Sequence, residues 1–480
     1  SFHFGNNIRI MMHKSRYSLL LFIQLLVMLL IGHSPAYADA QPWTLDSALN
    51  TPEWLSISGQ HRTRYETLDE QFRAGGSGDD QILVFRTNIL ARVTWNQWEF
   101  GFELLDSRQA YADDSTKISS GDVNPLDVLQ TYIQWNDAAS DQNDVVNKVR
   151  VGRFTMDVGS RRFVARNKFR NAINSFTGID WSRTKANGEE LRAFYTLPVQ
   201  RLPGEFDRRK RNRTQGDDQD TEVAFWGTYY KLPTHALSQW DSEAELFYFG
   251  LDENDTHNRP TRNRDIHTMG ARLYKNKARS EFDYQVEAVY QFGESRATTS
   301  ASDREDLDHF AYFARAELGY SFARHWSPRL IAQLDYASGD DDPDDGNNNR
   351  FDSLFGVRRF DFGPLGIYGP FSRANIVSPG LRLQLKPSPK VSMFVAHRGY
   401  WLASDRDAWT VAGVQDPQGD SGSFLGQQFE ARLRWEIYPE NLLWEIGGAY
   451  LFKGGFANDA PNANDEGDSN FLYSQFTFSF

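Results

Sequence analysis

Polar and apolar residues alternate strictly along most of this chain. From Leu83 to Trp95 one parity reads Leu83, Phe85, Thr87, Ile89, Ala91, Val93 and Trp95, and the other carries Arg86, Asn88, Arg92 and Thr94. The same rhythm runs through Phe282–Phe292, where Tyr284, Val286, Ala288 and Tyr290 oppose Asp283, Gln285, Glu287 and Gln291, and returns in Leu425–Ile437. A period of two over 11 to 13 residues predicts a long strand with one wet and one apolar face. Strands of soluble proteins average about 5–6 residues, whereas a tilted strand crossing a bilayer needs about 9–11. Length therefore favours the membrane over a soluble sandwich or propeller.

Such segments recur near residues 54–67, 82–96, 97–111, 126–136, 147–154, 175–183, 188–197, 221–231, 242–250, 266–275, 281–292, 309–320, 327–337, 375–386, 391–401, 425–437, 442–452 and 471–480. The expected fold is all-β: a transmembrane antiparallel β-barrel of about 18 strands, an even number as such barrels require. Leaving out the two weakest segments, 147–154 and 175–183, gives about sixteen. Short connections such as Asn96-Gln97, Lys386–Lys390 and Tyr438–Asn441 suit periplasmic turns. Asp252–Arg264, Gly339–Arg350 and Asn458–Asn470 read as long extracellular loops.

Both ends of the chain agree with that reading. His13, Lys14 and Arg16 precede an apolar run from Leu19 to Ile31, and Pro35-Ala36-Tyr37-Ala38 supplies a small-x-small cleavage pattern. The run is about 13 residues long, short of the roughly 20 of a membrane helix, so a signal peptide cleaved before Asp39 is expected. Residues 1–38 are thus assigned to an extension and signal peptide, 39–53 to a short periplasmic segment, and 54–480 to the barrel. At the other end Phe480 closes a strand with Phe478, Phe476 and Leu472 on its parity. An aromatic terminal residue of this kind is what the barrel assembly machinery reads, which makes that machinery and outer-membrane lipid expected partners. The expected location is the outer membrane of a Gram-negative bacterium, with the protein a monomer.

Composition narrows the chemistry. The 480 residues include no cysteine, so disulfides and thiolate sites are excluded. Forty arginines against 12 lysines stand in a chain of formal net charge -12, which argues against nucleic-acid binding through bulk charge. On the strands the polar parity should face the lumen. It carries Arg64, Arg86, Arg92, Arg192, Arg315, Arg382, Arg398, Arg432 and Arg434 beside Glu66, Glu245, Glu287, Glu317, Asp335 and Glu430. A guanidinium keeps its charge and holds a carboxylate bidentately, so these arginines either brace the wall as ion pairs or attract anions, and both roles are expected. Residues 150–178 differ from the rest: seven basic residues, Arg150, Arg153, Arg161, Arg162, Arg166, Lys168 and Arg170, fall between two strands, as a basic constriction would.

That segment also resembles a known family. Gly152-Arg153, then Gly159-Ser160-Arg161-Arg162, then Ser175-Phe176 and Gly178 follow the motif order of the alginate export family, with Phe154 and Thr177 standing where the family carries Gln and Asp. Ala337-Ser338-Gly339-Asp340 followed by Phe351-Asp352-Ser353-Leu354-Phe355 resembles a second family block, and Arg62-Thr63-Arg64-Tyr65-Glu66 its first strand. The resemblance implies a monomeric 18-stranded barrel whose electropositive lumen passes an anionic uronate polymer, with periplasmic export partners. It points to Arg153, Arg161 and Arg162 as selectivity residues, with Arg166 and Arg170 in the same cluster.

An enzyme does not assemble from these residues. No Gly-x-Ser-x-Gly elbow, phosphate loop or His-x-x-x-His pair occurs, and His397 near Ser392 and Asn375 reads as ordinary barrel surface. In Asp340–Gly346 a proline occupies the third position of an EF-hand register, leaving loose calcium at Asp340, Asp342 and Asp344 as a weaker alternative to a solvated loop. The expected function is a passive outer-membrane channel for an anionic polysaccharide, without cofactor. A substrate-specific uptake porin for small anionic saccharides is the alternative, and a barrel enzyme the remote one.

Overall fold

The computed structural model describes residues 41–137, 145–255, 260–300 and 302–480. The expected signal peptide lies outside the described residues. Among the described residues eighteen strands form the wall: Leu55–Asp69, Asp80–Trp95, Trp98–Ala110, Asn124–Asn136, Val145–Phe154, Phe176–Lys185, Glu190–Gln200, Val223–Lys231, Glu243–Glu253, Asp265–Lys275, Phe282–Ser295, Leu307–Ser321, Arg329–Ala337, Ile376–Ser388, Val391–Trp401, Phe424–Tyr438, Leu442–Lys453 and Ser469–Ser479. Each pairs antiparallel with its neighbour in sequence, and the first closes on the last from Gln60↔Ser479 to Asp69↔Asn470. Both weak segments are strands, so the larger count holds. Their pattern is blurred because Gly152 sits at φ +125, where a Cβ would lie 2.4 Å from the Thr131 carbonyl oxygen.

Seventeen connections alternate between two rims. One rim carries short turns such as Asn96-Gln97; the other carries the long segments 155–175, 201–222, 338–375 and 402–423. The outward parity is apolar and open to its surroundings, as at Leu246, Val286, Leu318, Leu381 and Phe429. Exposed Trp54, Trp95, Trp98 and Trp326 ring the short-turn rim, while Tyr195, Tyr290 and Tyr312 stand nearer the other. This is the surface a membrane needs.

The interior is divided. Its short-turn half is polar, as the alternation predicts. Its long-loop half departs from that rule: Leu68, Ile82, Val84, Phe225, Phe249, Leu251 and Ile266 point inward and are buried. They are covered by loops folded back into the barrel, which bring Phe163, Val164, Phe351, Phe362, Tyr368 and Phe371 into one continuous apolar core. Burying that surface is the driving force that holds the loops inside. The long connections are therefore not all solvated extracellular loops, as the sequence suggested; in 338–375 only Asp341–Gly346 form a continuously exposed run.

At the short-turn rim the N-terminal segment is tied to the seam. Trp43 stacks on Phe478 at 5.9 Å, and its backbone N–H donates to Asn441 Oδ1 at 2.8 Å. Phe480 donates its N–H to the Gly59 carbonyl at 2.9 Å, and Gly59 returns a bond of 2.7 Å.

Candidate functional site

The segments 155–175 and 338–375 meet inside the barrel as two strands of a parallel bridge. Val357 N–H donates to the Arg161 carbonyl at 3.0 Å, Phe355 N–H to Phe163 at 2.9 Å, and Val164 pairs with Phe355. The contact depends on Gly356, where a Cβ would sit 1.6 Å from the Arg162 carbonyl oxygen. Satisfying these backbone groups against each other is what permits irregular chain at membrane depth.

Arginines then sort by what they touch. Arg162 reaches Glu287 at 2.6 Å and Asp361 at 3.0 Å. Asp361 also receives Arg315 at 3.2 Å and a close contact from Arg373. Arg315 in turn holds Asp335 at 2.6 Å, as does Arg398. Burial opposes the charge on Asp361, but Arg162, Arg315 and Arg373 outweigh it and keep its carboxyl well below the usual carboxylate range. This network joins both loops to the wall.

Three wall arginines grip the tip of the first loop by its carbonyls. Arg62 donates to Lys168 O at 2.9 Å and Arg170 O at 3.0 Å, Arg64 to Phe169 O at 2.7 Å, and Arg86 to Lys168 O at 2.8 Å. Arg64 is also paired with Glu66 at 2.6 Å. Arg64 and Arg86, read from sequence as lumen-lining, are thus spent on anchoring. Arg166 pairs with Glu103 at 2.7 Å, Arg192 with Asp180 at 2.7 Å, and Arg434 with Glu445 at 3.2 Å.

Arg153 lies elsewhere. It shares the outward parity of its strand with Val151 and pairs with Thr131 and Thr177, and its guanidinium turns to Asp127 at 3.5 Å. Strand parity takes it off the lumen side, which the family motif alone did not reveal.

The remaining cations have no carboxylate bound among the described residues. Arg161 is exposed, in a left-handed conformation at φ +63, with its guanidinium 5.6 Å from the Phe360 ring. Arg382 donates to the Phe360 carbonyl at 3.0 Å, and Arg382 and Arg432 both lie against the Phe394 ring, at 4.9 and 4.8 Å. Arg92 is half-buried near the short-turn rim. Among the described residues Arg170 makes no side-chain hydrogen bond or ion pair, and Arg358 makes one hydrogen bond, to the Phe371 carbonyl at 3.0 Å, leaving its Nε buried without a partner. Burial, then Arg170, Arg73 and Arg373, push Arg358 down to about 9. Burial likewise pushes Arg73 down to about 10, against the pull of Asp80 and Asp122, and Arg201 to about 10 with Arg170 adding to the effect. Arg73, Arg170, Arg201 and Arg358 thus share one electrostatic neighbourhood: Asp122 acts on the first three, Asp80 also on Arg73 and Asp217 also on Arg201, while no carboxylate among the described residues offsets Arg358. Of these only Arg170 was legible beforehand; Arg73, Arg201 and Arg358 come from three other loops and share no motif.

The three acidic candidates of the 340–346 loop lie in different surroundings. Asp340 is buried and accepts from the Asn349 N–H, whereas Asp342 and Asp344 are exposed, and no group of three or more metal-binding side chains converges among the described residues. His397 faces outward and bonds Gln427 at 2.9 Å, with its ring stacked on Phe429.

A family model described as alginate export matches residues 53–468. No curated protein sequence matches the chain. Among solved structures, OccAB1 of Acinetobacter baumannii superimposes with a TM-score of 0.56 at 13% identity, covering 93% of this chain and 99% of that one. OccK2 (OpdF) of Pseudomonas aeruginosa gives 0.53 at 14% identity, over 88% of this chain and 98% of that one, and the same porin has been solved in complex with glucuronate. Likeness at this identity speaks for the fold alone.

Proposed function

The chain belongs to the alginate export family, an outer-membrane porin family, and from that premise we propose that it is a passive channel selective for an anionic polysaccharide of uronate type. The observation that carries the reading is that Arg73, Arg170, Arg201 and Arg358, brought together from four loops, make no ion pair among the described residues, and Arg358 keeps its Nε buried without a partner. A passing carboxylate supplies that missing charge. In a low-dielectric interior the field of a few such groups is strong, and arginine holds its charge across the working pH range. Arg161, Arg382 and Arg432 extend the unmatched cations toward the periplasmic side. Arg162, Arg315 and Arg398 are buried and neutralised by their partners, so they add no unmatched charge. The fold and family favour a channel over an enzyme, and an outer-membrane location. The same reading takes the mature chain to begin at Asp39, with 39–53 on the periplasmic side.

Uptake of small anionic saccharides is the second reading, favoured by the porin neighbour solved with glucuronate. A passive pore conducts both ways, so block and size dependence separate the two. In planar bilayers the channel should prefer anions and be blocked by uronate oligomers with affinity rising with oligomer length. Arg170→Gln with Arg358→Gln should weaken both properties, and Arg208→Gln with Arg211→Gln should not. Cation preference, or unchanged selectivity in a folded double variant, overturns the assignment. Block that does not grow beyond a monosaccharide favours uptake.

A further inference from the structure

A second basic site lies at the short-turn, periplasmic rim, away from the loop cluster. A cavity of about 460 Å³ is lined there by Lys277, Arg279, Arg329, Lys386 and Arg432, with Gln384, Ser321, Ser327 and Ser392 between them. Its size falls in the range of about 300–1,000 Å³ usual for ligand sites. No carboxylate lines it among the described residues. Of the five cations only Arg329 is neutralised, by Asp283 and by Glu317 at 3.2 Å. Lys277, Arg279, Lys386 and Arg432 make no ion pair among the described residues.

Their placement has a direction. Lys277 and Arg279 belong to the turn 276–281, and Lys386 stands near the end of its strand, all exposed at the mouth. Arg432 lies deeper on the inward parity and leans on Phe394, whose ring also carries Arg382. The series therefore runs from exposed cations at the mouth, two of them lysines, to the half-buried Arg432 and buried Arg382 inside. Solvated lysines attract at long range and release readily; buried arginines hold carboxylates in fixed geometry. The serines and Gln384 supply donors and acceptors for hydroxyl groups.

We propose that this cavity is the loading subsite for the polymer, where carboxylates of a uronate chain arriving from the periplasm are captured by Lys277, Arg279 and Lys386 and passed to Arg432. The inference rests on the channel reading above but makes a separate claim, that capture is one-sided. It is tested with a mannuronate hexamer added to one or the other side of oriented single channels, using Lys277→Gln with Arg279→Gln and Lys386→Gln. The variant should lose about tenfold in blocking rate from the periplasmic side, in keeping with electrostatic steering of 10–10³-fold. Block from the extracellular side and ion selectivity should stay as in the wild type. Lys277→Arg with Lys386→Arg should keep periplasmic block. An equal loss from both sides, or none, overturns the proposal. So does periplasmic block by polyglutamate that falls while hexamer block does not, which would assign the cations to an acidic protein partner. Failure of the hexamer to block the wild type from either side would overturn the polymer reading, and the loading subsite with it. Gel mobility that shifts on heating checks that each variant has closed its barrel.

Discussion

Arg162 and Arg170 stand in one loop and in opposite electrostatic surroundings. Arg162 is enclosed by Glu287 and Asp361, so its charge is cancelled where it lies. Arg170 makes no side-chain bond among the described residues and adds to the burden on Arg358 and Arg201. Removing a carboxylate from the first group should therefore cost stability. Asp361→Asn leaves buried Arg373 with no carboxylate among the described residues and takes one of two or more partners from Arg162, which keeps Glu287, and Arg315, which keeps Asp335. Breaking a buried pair typically costs about 3–5 kcal/mol. The heat-modifiable gel transition should move to lower temperature, with ion preference in surviving channels unchanged. Removing a cation from the second group should do the reverse, as the Arg170→Gln and Arg358→Gln pair tests. Ligand should stabilise the wild type in the same assay, by about 2.7 kcal/mol when present at a hundredfold its Kd. The double variant should lose that gain.

The loop pair 155–175 and 338–375 is one element, because each satisfies the other's backbone. Gly356→Ala should force the two chains apart, since the Arg162 carbonyl occupies the space a Cβ would take. Wider conductance with weaker selectivity is the expected outcome; an unchanged channel would mean that the loops do not set the pore. Asp340 makes the second loop sensitive to pH. Burial, with Asp407 adding to it, raises its carboxyl to about 6. A carboxyl raised in the folded state favours folding most at low pH, and that contribution fades as pH climbs from its unfolded value, near 3.8, through about 6. Protection factors across 338–375, after division by the intrinsic exchange rate, should therefore be higher at pH 5 than at pH 7, and Asp340→Asn should flatten that difference. The closing seam is set in the same way. Because Phe480 covers Gly59, where a Cβ would meet its ring at 2.4 Å, Gly59→Val should impair assembly, and so should deletion of Phe480.

For the whole molecule, a closed barrel has no free edge, and this one joins its first and last strands over ten residue pairs. Its long-loop half is narrowed by loops folded onto an apolar core, and its short-turn half is polar and charged. Protease added outside intact cells should therefore cut in Asp341–Gly346 and leave the flanking residues of 338–375 intact. Cleavage throughout 347–362 would contradict the folded-back arrangement. Unheated protein should also migrate apart from boiled protein in detergent gels, as expected for a wall of continuous hydrogen bonds.

Alternation made the strands readable in advance, since a side-chain period of two reports directly which face meets lipid and which does not. Strand length added the membrane, and the pairing of the first strand with the last shows the closure. Leu425–Ile437 and Phe282–Phe292 needed no neighbours to be recognised. The same logic misplaced what depends on distant parts of the chain. Arg153 carries the family motif, yet strand parity turns it outward to Asp127. Arg64 and Arg86 look like pore cations until the carbonyls of residues 168–170 are brought against them. Arg73, Arg201 and Arg358 meet only because three loops fold into one barrel. Periodicity is a property of a single strand, whereas the balance of charge at a site depends on which carboxylates the closed wall and its loops bring within reach, and that is decided only when they pack.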